Sequence, residues 1–183
     1  VVALAGGVGG AKLVDGLAAL LSPDDFCVIV NTGDDFEHLS LQISPDLDTV
    51  CYTLAGIANP ETGWGLRDDT FETLQAISDL GGASWFRIGD RDLATHILRS
   101  TLLSQGGPLS EITHDFCHQW GVLHPVFPMS DDPVHTLVHT AAGETLAVQE
   151  YFVHRRFKPY VASFEFKGAK YALPVKEAIE KLN

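Results

Sequence analysis

The chain opens on an unbroken apolar run, VVALA (1–5), closed by the glycines at Gly6 and Gly7. A run of that length ending in turn residues predicts a buried strand of the parallel type. AKLVDGLAALL (11–21) then repeats apolar residues at helical spacing and stops before Ser22-Pro23, and FCVIV (26–30) predicts a second buried strand. Strand, glycine turn, helix and strand within about 30 residues define a βαβ unit, so the sheet is expected to be mostly parallel. The acidic stretch NTGDDFEHLSLQ reads as a loop. A helix follows, with Ser44 as N-cap, Pro45 at its first position and Gly56 as its stop.

Further along, NPETGWGLR (59–67) is turn-rich, and DTFETLQAISDLGG (69–82) predicts a helix with an Asp69–Glu72 capping box. WFRI predicts a short strand, and Asp90 is expected to cap a helix over 91–107. Another helix runs from Leu109-Ser110 to about Trp120. VHTLVHT and TLAVQEYF alternate as a hairpin around Ala142-Gly143, and YVASFEFKG adds a strand before a terminal helix, PVKEAIEKL. The pattern gives an α/β fold in one domain. Residues 1–56 form a nucleotide-binding-like βαβ core, 57–160 a helical and hairpin-bearing insertion, and 161–183 a return to the core.

Composition narrows the function. The 183 residues carry a formal charge of −12, which argues against a nucleic-acid-coating surface, since duplex binding relies on Lys and Arg. An anionic ligand would then need backbone N–H groups or a metal ion. Cys27, Cys51 and Cys117 are odd in number and set in apolar sequence, so buried reduced thiols and a cytoplasmic setting are expected. No segment reaches the roughly 18 apolar residues of a membrane helix. Both ends look cut: the chain starts on Val1 against the first strand and stops just after the terminal helical segment.

The glycine stretch fits neither familiar phosphate-binding pattern. A dinucleotide fingerprint lacks its third glycine, and a P-loop lacks Ser or Thr, because Leu13 follows Lys12. The shared physics survives: Gly6, Gly7, Gly9 and Gly10 let a ligand approach the backbone, and the following helix turns its first N–H groups toward an anion. Asp34 and Asp35 follow the second strand, and Asp46 and Asp48 open the next helix. Both pairs are expected at the carboxyl ends of the strands, where α/β sheets bind ligands. Carboxylates crowded beside an anion site call for a cation, and oxygen donors in this number suggest Mg²⁺. Asp90 and Arg91 read as a phosphate contact or as a helix cap with an ion pair. Ser130-Asp131-Asp132 divides between turn and ligand contact. The spaced histidines His114, His118, His135 and His139 lack further ligands for zinc and read as structural.

GGVGGAKL, VNTGDDFEHL, ISPDLDTVCYTLAG, GWG, DTF, WFRIGDRDLATH, FPMSDD and QEYFVHRR, in this order, resemble the 2-phospho-L-lactate transferase family of coenzyme F420 biosynthesis. The resemblance covers essentially the whole chain and implies a Rossmann-like three-layer core. It also implies that the family fold continues beyond this chain, with a PSNP-like loop on the nucleotide side that is absent here. The implied reaction moves a phospho-acid from lactyl-2-diphospho-5'-guanosine, or its phosphoenolpyruvyl or phosphoglyceryl relative, to the ribityl hydroxyl of the deazaflavin Fo. GMP leaves, and Mg²⁺ is the implied cofactor. Carried onto this sequence, Gly6, Gly7, Gly9, Gly10, Lys12, Thr32, Asp46, Asp90, Arg91 and Trp64 bind substrate. Asp34, Asp35 and Asp48 hold the metal, and Asp48 or Asp35 serves catalysis. Trp64, Trp85 and Phe86 are candidates to bed the planar Fo ring. Ser40 and Gln42 stand where the family leads one to expect Gly and His. Two other classes compete: a non-catalytic nucleotide-sugar-binding regulator with the same core, and a nicotinamide oxidoreductase, disfavoured by the failed fingerprint. Neither nucleic acid nor membrane is an expected partner, and a homodimer is left open.

Overall fold

The computed structural model describes residues 1–182, so Asn183, at the end of the expected return segment, lies outside the described residues. Strand β1 (Val2–Ala5) and strand β2 (Cys27–Val30) pair in parallel, joined by helix α1 (Gly7–Ala18). Helix α2 (Pro45–Leu54) begins with Pro45 and carries Asp46 and Asp48 in its first turn. Val14 of α1, Val28 and Val30 of β2, and Leu47 and Val50 of α2 are almost wholly enclosed and form the centre of the main core. Each such side chain contributes about 1.5–3 kcal/mol by leaving water, which is what fixes α2 against α1 and the sheet.

The α/β class and parallel sheet are as expected, but the expected segment boundaries are not those of the structure. Strand β5 (Val126–Pro128), inside the stretch expected as an insertion, pairs in parallel with β2 and gives the sheet order β1-β2-β5. Helix α5 (Leu109–Gln119) packs on β5 and sends Leu109 and Cys117 into the main core. Residues 109–128 therefore belong to the core, because the apolar run PVFP completes its sheet. Conversely, strand β8 (Val161–Lys167) does not return there: it pairs antiparallel with β6 (His135–Thr140), whose other neighbour is β7 (Thr145–Ala147).

Three local expectations fail for identifiable reasons. The acidic loop contains a hairpin, β3 (Phe36–His38) with β4 (Leu41–Ile43), turned by Leu39 and Ser40 at φ of 53° and 60°. A turn with two left-handed residues normally advertises itself with Gly or Asn; here neither is present, and Ser40 stands where the family resemblance anticipates the glycine such a turn favours. WFRI forms no strand: Trp85, Phe86 and Ile88 pack instead against Phe36 and Ile43 of the hairpin. TLAVQEYF ends as strand at Ala147 and winds into a π-helical turn, Glu150–His154.

Helix α3 (Glu72–Asp79) and helix α4 (Asp92–Ser104) exchange caps. Asp69, expected to open α3, accepts the N–H groups of Arg91 and Asp92 at 2.9 and 3.0 Å, at the start of α4. Asp90, expected to cap α4, accepts the Thr70 hydroxyl at 2.6 Å and the N–H groups of Glu72 and Thr73, both at 2.9 Å, at the start of α3. Each acid meets the orphan amides and positive dipole end of the other's helix. A Cβ at Gly89 would collide with the Asp69 carboxylate, so this close approach is what the glycine serves. A short helix, α6 (Lys176–Glu180), ends the described chain.

Two outcomes test the exchange. Gly89→Ala and Asp69→Ala should each destabilise by about 1 kcal/mol, and the double variant by no more than the larger single effect, since both remove one contact; urea unfolding reads this. The Thr70 hydroxyl and the α3 amides hold the Asp90 carboxyl well below the usual carboxylate range. Its folded pKa being depressed, its capping is present above about pH 4 and lost as pH falls toward the folded value. The Glu72 and Thr73 amide shifts should therefore titrate with a midpoint well below about 3.9, and a midpoint at that value would refute the cap.

Candidate functional site

At the carboxyl ends of β1 and β2 the chain brings the glycine turn and the acids together. Asp46 does not merely favour its own helix start. Its carboxylate lies at the N-terminus of α1, accepting the Gly7 N–H and, at 3.0 Å, the Asn31 side-chain amide. A Cβ on Gly6 would stand 2.7 Å from Asp46 Oδ2, and Gly7 takes φ of 58°. These two glycines therefore admit an internal anion. Gly10 packs closely on Ala5, where a Cβ would meet the backbone at 3.2 Å. Gly9 has open space around it, and Lys12 is exposed.

Asp34 and Asp35 lie beside this contact. Burial, then the Asp46 charge, pushes the Asp34 carboxyl up, against hydrogen bonds from Asn31 and Thr136. Burial pushes Asp35 up strongly, although Ser44 donates to its Oδ2 at 2.7 Å. Asp35 Oδ1 is buried without a partner, as is Thr32 Oγ1, and both residues line a polar cavity of about 500 Å³ with Ser40, Gln42, Asp131 and His135. A carboxylate oxygen buried without a donor is costly, and a cation reverses that penalty.

Asp48 has a different fate from the one expected. It forms a two-pronged ion pair with Arg99 of α4, the Nη1 contact at 3.1 Å and the Nη2 contact shorter. Burial works against the Arg99 charge, but Asp48 more than offsets it and the guanidinium stays charged. The pair is nearly inaccessible, with side chains 4% and 9% exposed. In this structure Arg99 answers the Asp48 charge, which gives Asp48 a structural contact beside the cavity that it lines. Among the described residues no three His, Cys, Asp or Glu side chains converge to hold a metal by themselves.

The pair belongs to a longer network. Tyr52 donates to Asp92 Oδ1 at 2.7 Å and lies 2.9 Å from Thr95 Oγ1; burial, aided by Asp48 and Asp92, pushes its hydroxyl up and keeps it a donor. Arg99 Nη1 lies 3.3 Å from His96 Nδ1. Asp48, Tyr52, Asp92 and His96 of this network line a cavity of about 510 Å³ together with Trp64, Trp85, Phe86, Arg87 and Arg156. The loop bearing Trp64 leans on α1, since Gly63 (φ 75°) abuts Val8 so closely that a Cβ would clash. Asp90 is spent on capping, and exposed Arg91 reaches the Arg67 carbonyl at 3.2 Å. His96, Tyr52 and Arg99 were not anticipated; the helical spacing of Asp92, His96 and Arg99, a polar stripe facing an apolar core, is the signal that could have exposed them. His114 and His118 line a separate cavity beside β5 with Glu177, Glu180 and Lys181.

The structure thus sets a glycine-opened helix, acids at the strand ends and an adjoining aromatic cavity on an α/β fold, in the region where such sheets bind ligands. The model of the family described as 2-phospho-L-lactate transferase CofD matches residues 1–183, and the chain belongs to that family. A phosphoenolpyruvate transferase of Streptomyces griseus is 42% identical over 186 residues, covering 100% of this chain and 58% of its own. A 2-phospho-L-lactate transferase of Methanopyrus kandleri is 43% identical over 180 residues, covering 98% of this chain and 57% of its own. The chain thus spans somewhat under three fifths of these relatives. A crystal structure of a UPF0052 family member from Bacillus halodurans shares the fold, with a TM-score of 0.58, 16% identity, and coverage of 98% of this chain and 54% of that one. No helix among the described residues is long and apolar enough to cross a membrane.

Breaking the pair tests its structural reading. Arg99→Met should destabilise by about 3–5 kcal/mol in urea unfolding, because Asp48 is left buried and uncompensated. Asp48→Leu combined with Arg99→Met should recover most of that loss. An Arg99→Met protein of wild-type stability would refute the pairing.

Proposed function

We propose that this chain forms part of a transferase of coenzyme F420 biosynthesis. It moves a phospholactate-type group from lactyl-2-diphospho-5'-guanosine, or a close relative, to the ribityl hydroxyl of Fo, releasing GMP. The observation that carries this reading is the aromatic cavity walled by Trp64, Trp85 and Phe86, set beside the acid cluster at the strand ends. A planar deazaflavin matches such walls, and the names of the relatives support a phospho-acid as the group moved.

Asp34 and Asp35 are the acids we assign to Mg²⁺, neither being paired with a cationic side chain among the described residues, and Asp35 offers the partnerless Oδ1. Two carboxylates with waters and substrate phosphates are what Mg²⁺ commonly takes, and bound there it would neutralise charge on the diphosphate. Asp46 holds the α1 amides and Asn31 in register beside them. Trp64 presents a partly exposed ring for stacking. The protein's share of such a transfer is chiefly to position two substrates and exclude water.

Titration of the complete polypeptide with Fo by fluorescence and with GDP by calorimetry, each with and without Mg²⁺, tests the reading; binding of neither would sink it. Asp35→Asn should lower transfer at least a hundredfold and raise the Mg²⁺ concentration needed for half-maximal rate. An unchanged Mg²⁺ requirement would remove Asp35 from the metal.

A further inference from the structure

The chain leaves the π-helical turn Glu150–His154 through two consecutive residues in the left-handed region, Arg156 at φ of 51° and Phe157 at 60°. Neither is Gly or Asn, so this backbone is strained and persists only where its surroundings impose it. Both flanks do so. Arg155 forms an ion pair with Glu144, and its N–H donates to the Glu150 carbonyl at 2.9 Å. The Phe157 N–H donates to the Tyr151 carbonyl at 3.2 Å, and its ring packs on those of Tyr151 and Phe152 at centroid distances of 5.8 and 4.7 Å. Arg156 stands between these anchors. It is exposed, and its side chain makes no hydrogen bond, ion pair or ring contact among the described residues. It does line the aromatic cavity, with Gln149 and Val153 of the same segment.

The other arginine of that lining, Arg87, holds its guanidinium 4.3 Å over the Phe71 ring. The lining acids are already answered: Asp48 pairs with Arg99, and Asp92 accepts the Tyr52 hydroxyl at 2.7 Å. Among the described residues Arg156 is therefore the uncommitted arginine of the cavity, in a chain whose formal charge is −12. The lining also includes Pro45, set between Asp46 and the Ser44 that donates to Asp35, so the cavity adjoins the acid cluster. An anionic ligand group at that junction faces carboxylates and needs a cation of its own.

We propose that Arg156 binds the carboxylate of the acid being transferred, a substrate-binding role that the strained segment exists to serve. The inference rests on the transferase reading and deepens it. A phospholactate-type group carries a carboxylate besides its phosphate, and its phosphoenolpyruvyl and phosphoglyceryl relatives share that carboxylate. The diphosphate is assigned to Mg²⁺ at Asp34 and Asp35, which leaves the carboxylate to a side chain. A guanidinium donates two parallel N–H groups to a carboxylate, which fixes orientation as well as charge. Because its neighbours, and no partner of its own, hold Arg156 in place, those donors stay free until the ligand arrives.

The test compares wild type, Arg156→Asn and Arg156→Lys in the complete polypeptide. Calorimetry reads the affinity for GDP and for the guanosine diphosphate diester, lactyl or enolpyruvyl, that wild type binds more tightly; fluorescence reads Fo, and melting temperature is followed alongside. Asn tolerates the left-handed region, so Arg156→Asn removes the charge without adding strain. It should bind the diester about tenfold or more weakly than wild type, with GDP, Fo and melting temperature unchanged, since GDP lacks the carboxylate. Arg156→Lys keeps the charge without the fork and should fall between. Equal diester binding by wild type and Arg156→Asn would overturn the role. So would equal losses for diester and GDP, which would give Arg156 a phosphate, a loss confined to Fo, or a fall in melting temperature that carries all three affinities with it. A wild type that binds none of the three ligands would instead overturn the transferase reading, and this inference with it.

Discussion

The buried contact between Asp48 and Arg99 is what the candidate site depends on. It joins α2, a member of the parallel core, to α4, which follows the turn-rich segment and α3. Both charges have left water almost completely, so the pair stands only because its two-pronged geometry and its neighbours complete it. His96 contacts Arg99 directly, and Tyr52, Asp92 and Thr95 extend the hydrogen-bonded network beside it. The wall they make is stiff, because moving α4 from α2 would strand a charge on each side. The aromatic cavity is lined jointly by this seam, through Asp48, Tyr52, Asp92 and His96, and by rings placed by the hairpin and by the loop leaning on α1.

The same frame explains how α4 is set at its other end. Asp69 and Asp90 each cap the helix that follows the other, so the short α3, which buries no residue of its own, is held by hydrogen bonds and not by a core. Gly89 permits the approach. A segment that looks like a ligand-binding GDRD motif is, in this structure, the fastening that starts α4 on the correct line for Asp92, His96 and Arg99 to reach α2.

Much of this was legible in the sequence, and the reasons for the misses are physical. The strands at 1–5 and 26–30 and the helices opened by Pro45 and Leu109 announce themselves through apolar runs and helical spacing. The hairpin at Phe36–Ile43 hid because its left-handed turn uses Leu39 and Ser40. WFRI looked like a strand because aromatic residues favour strands, yet its rings are wanted for the cavity wall and the hairpin core. Asp34 and Asp35 do lie near Asp46, but no spacing rule distinguishes Asp46, which caps α1, from Asp48, which pairs with an arginine 51 residues away. Long-range partners decide an acid's role, and one sequence does not display them.

The position of Asp46 changes what the glycine stretch means. An N-terminal helix end attracts anions, and here the chain itself supplies one, with Gly6 and Gly7 shaped to admit it. An anion approaching the same strand ends meets a helix dipole already answered and two further carboxyl groups nearby, Asp34 and Asp35. The proposed Mg²⁺ at Asp34 and Asp35 would answer that repulsion, while Asp46 keeps α1, Asn31 and α2 in register. Gly9, which alone of the four opening glycines has empty space around it, is then the point of the turn with room beside its backbone, while Gly6 and Gly7 are taken up by the internal cap.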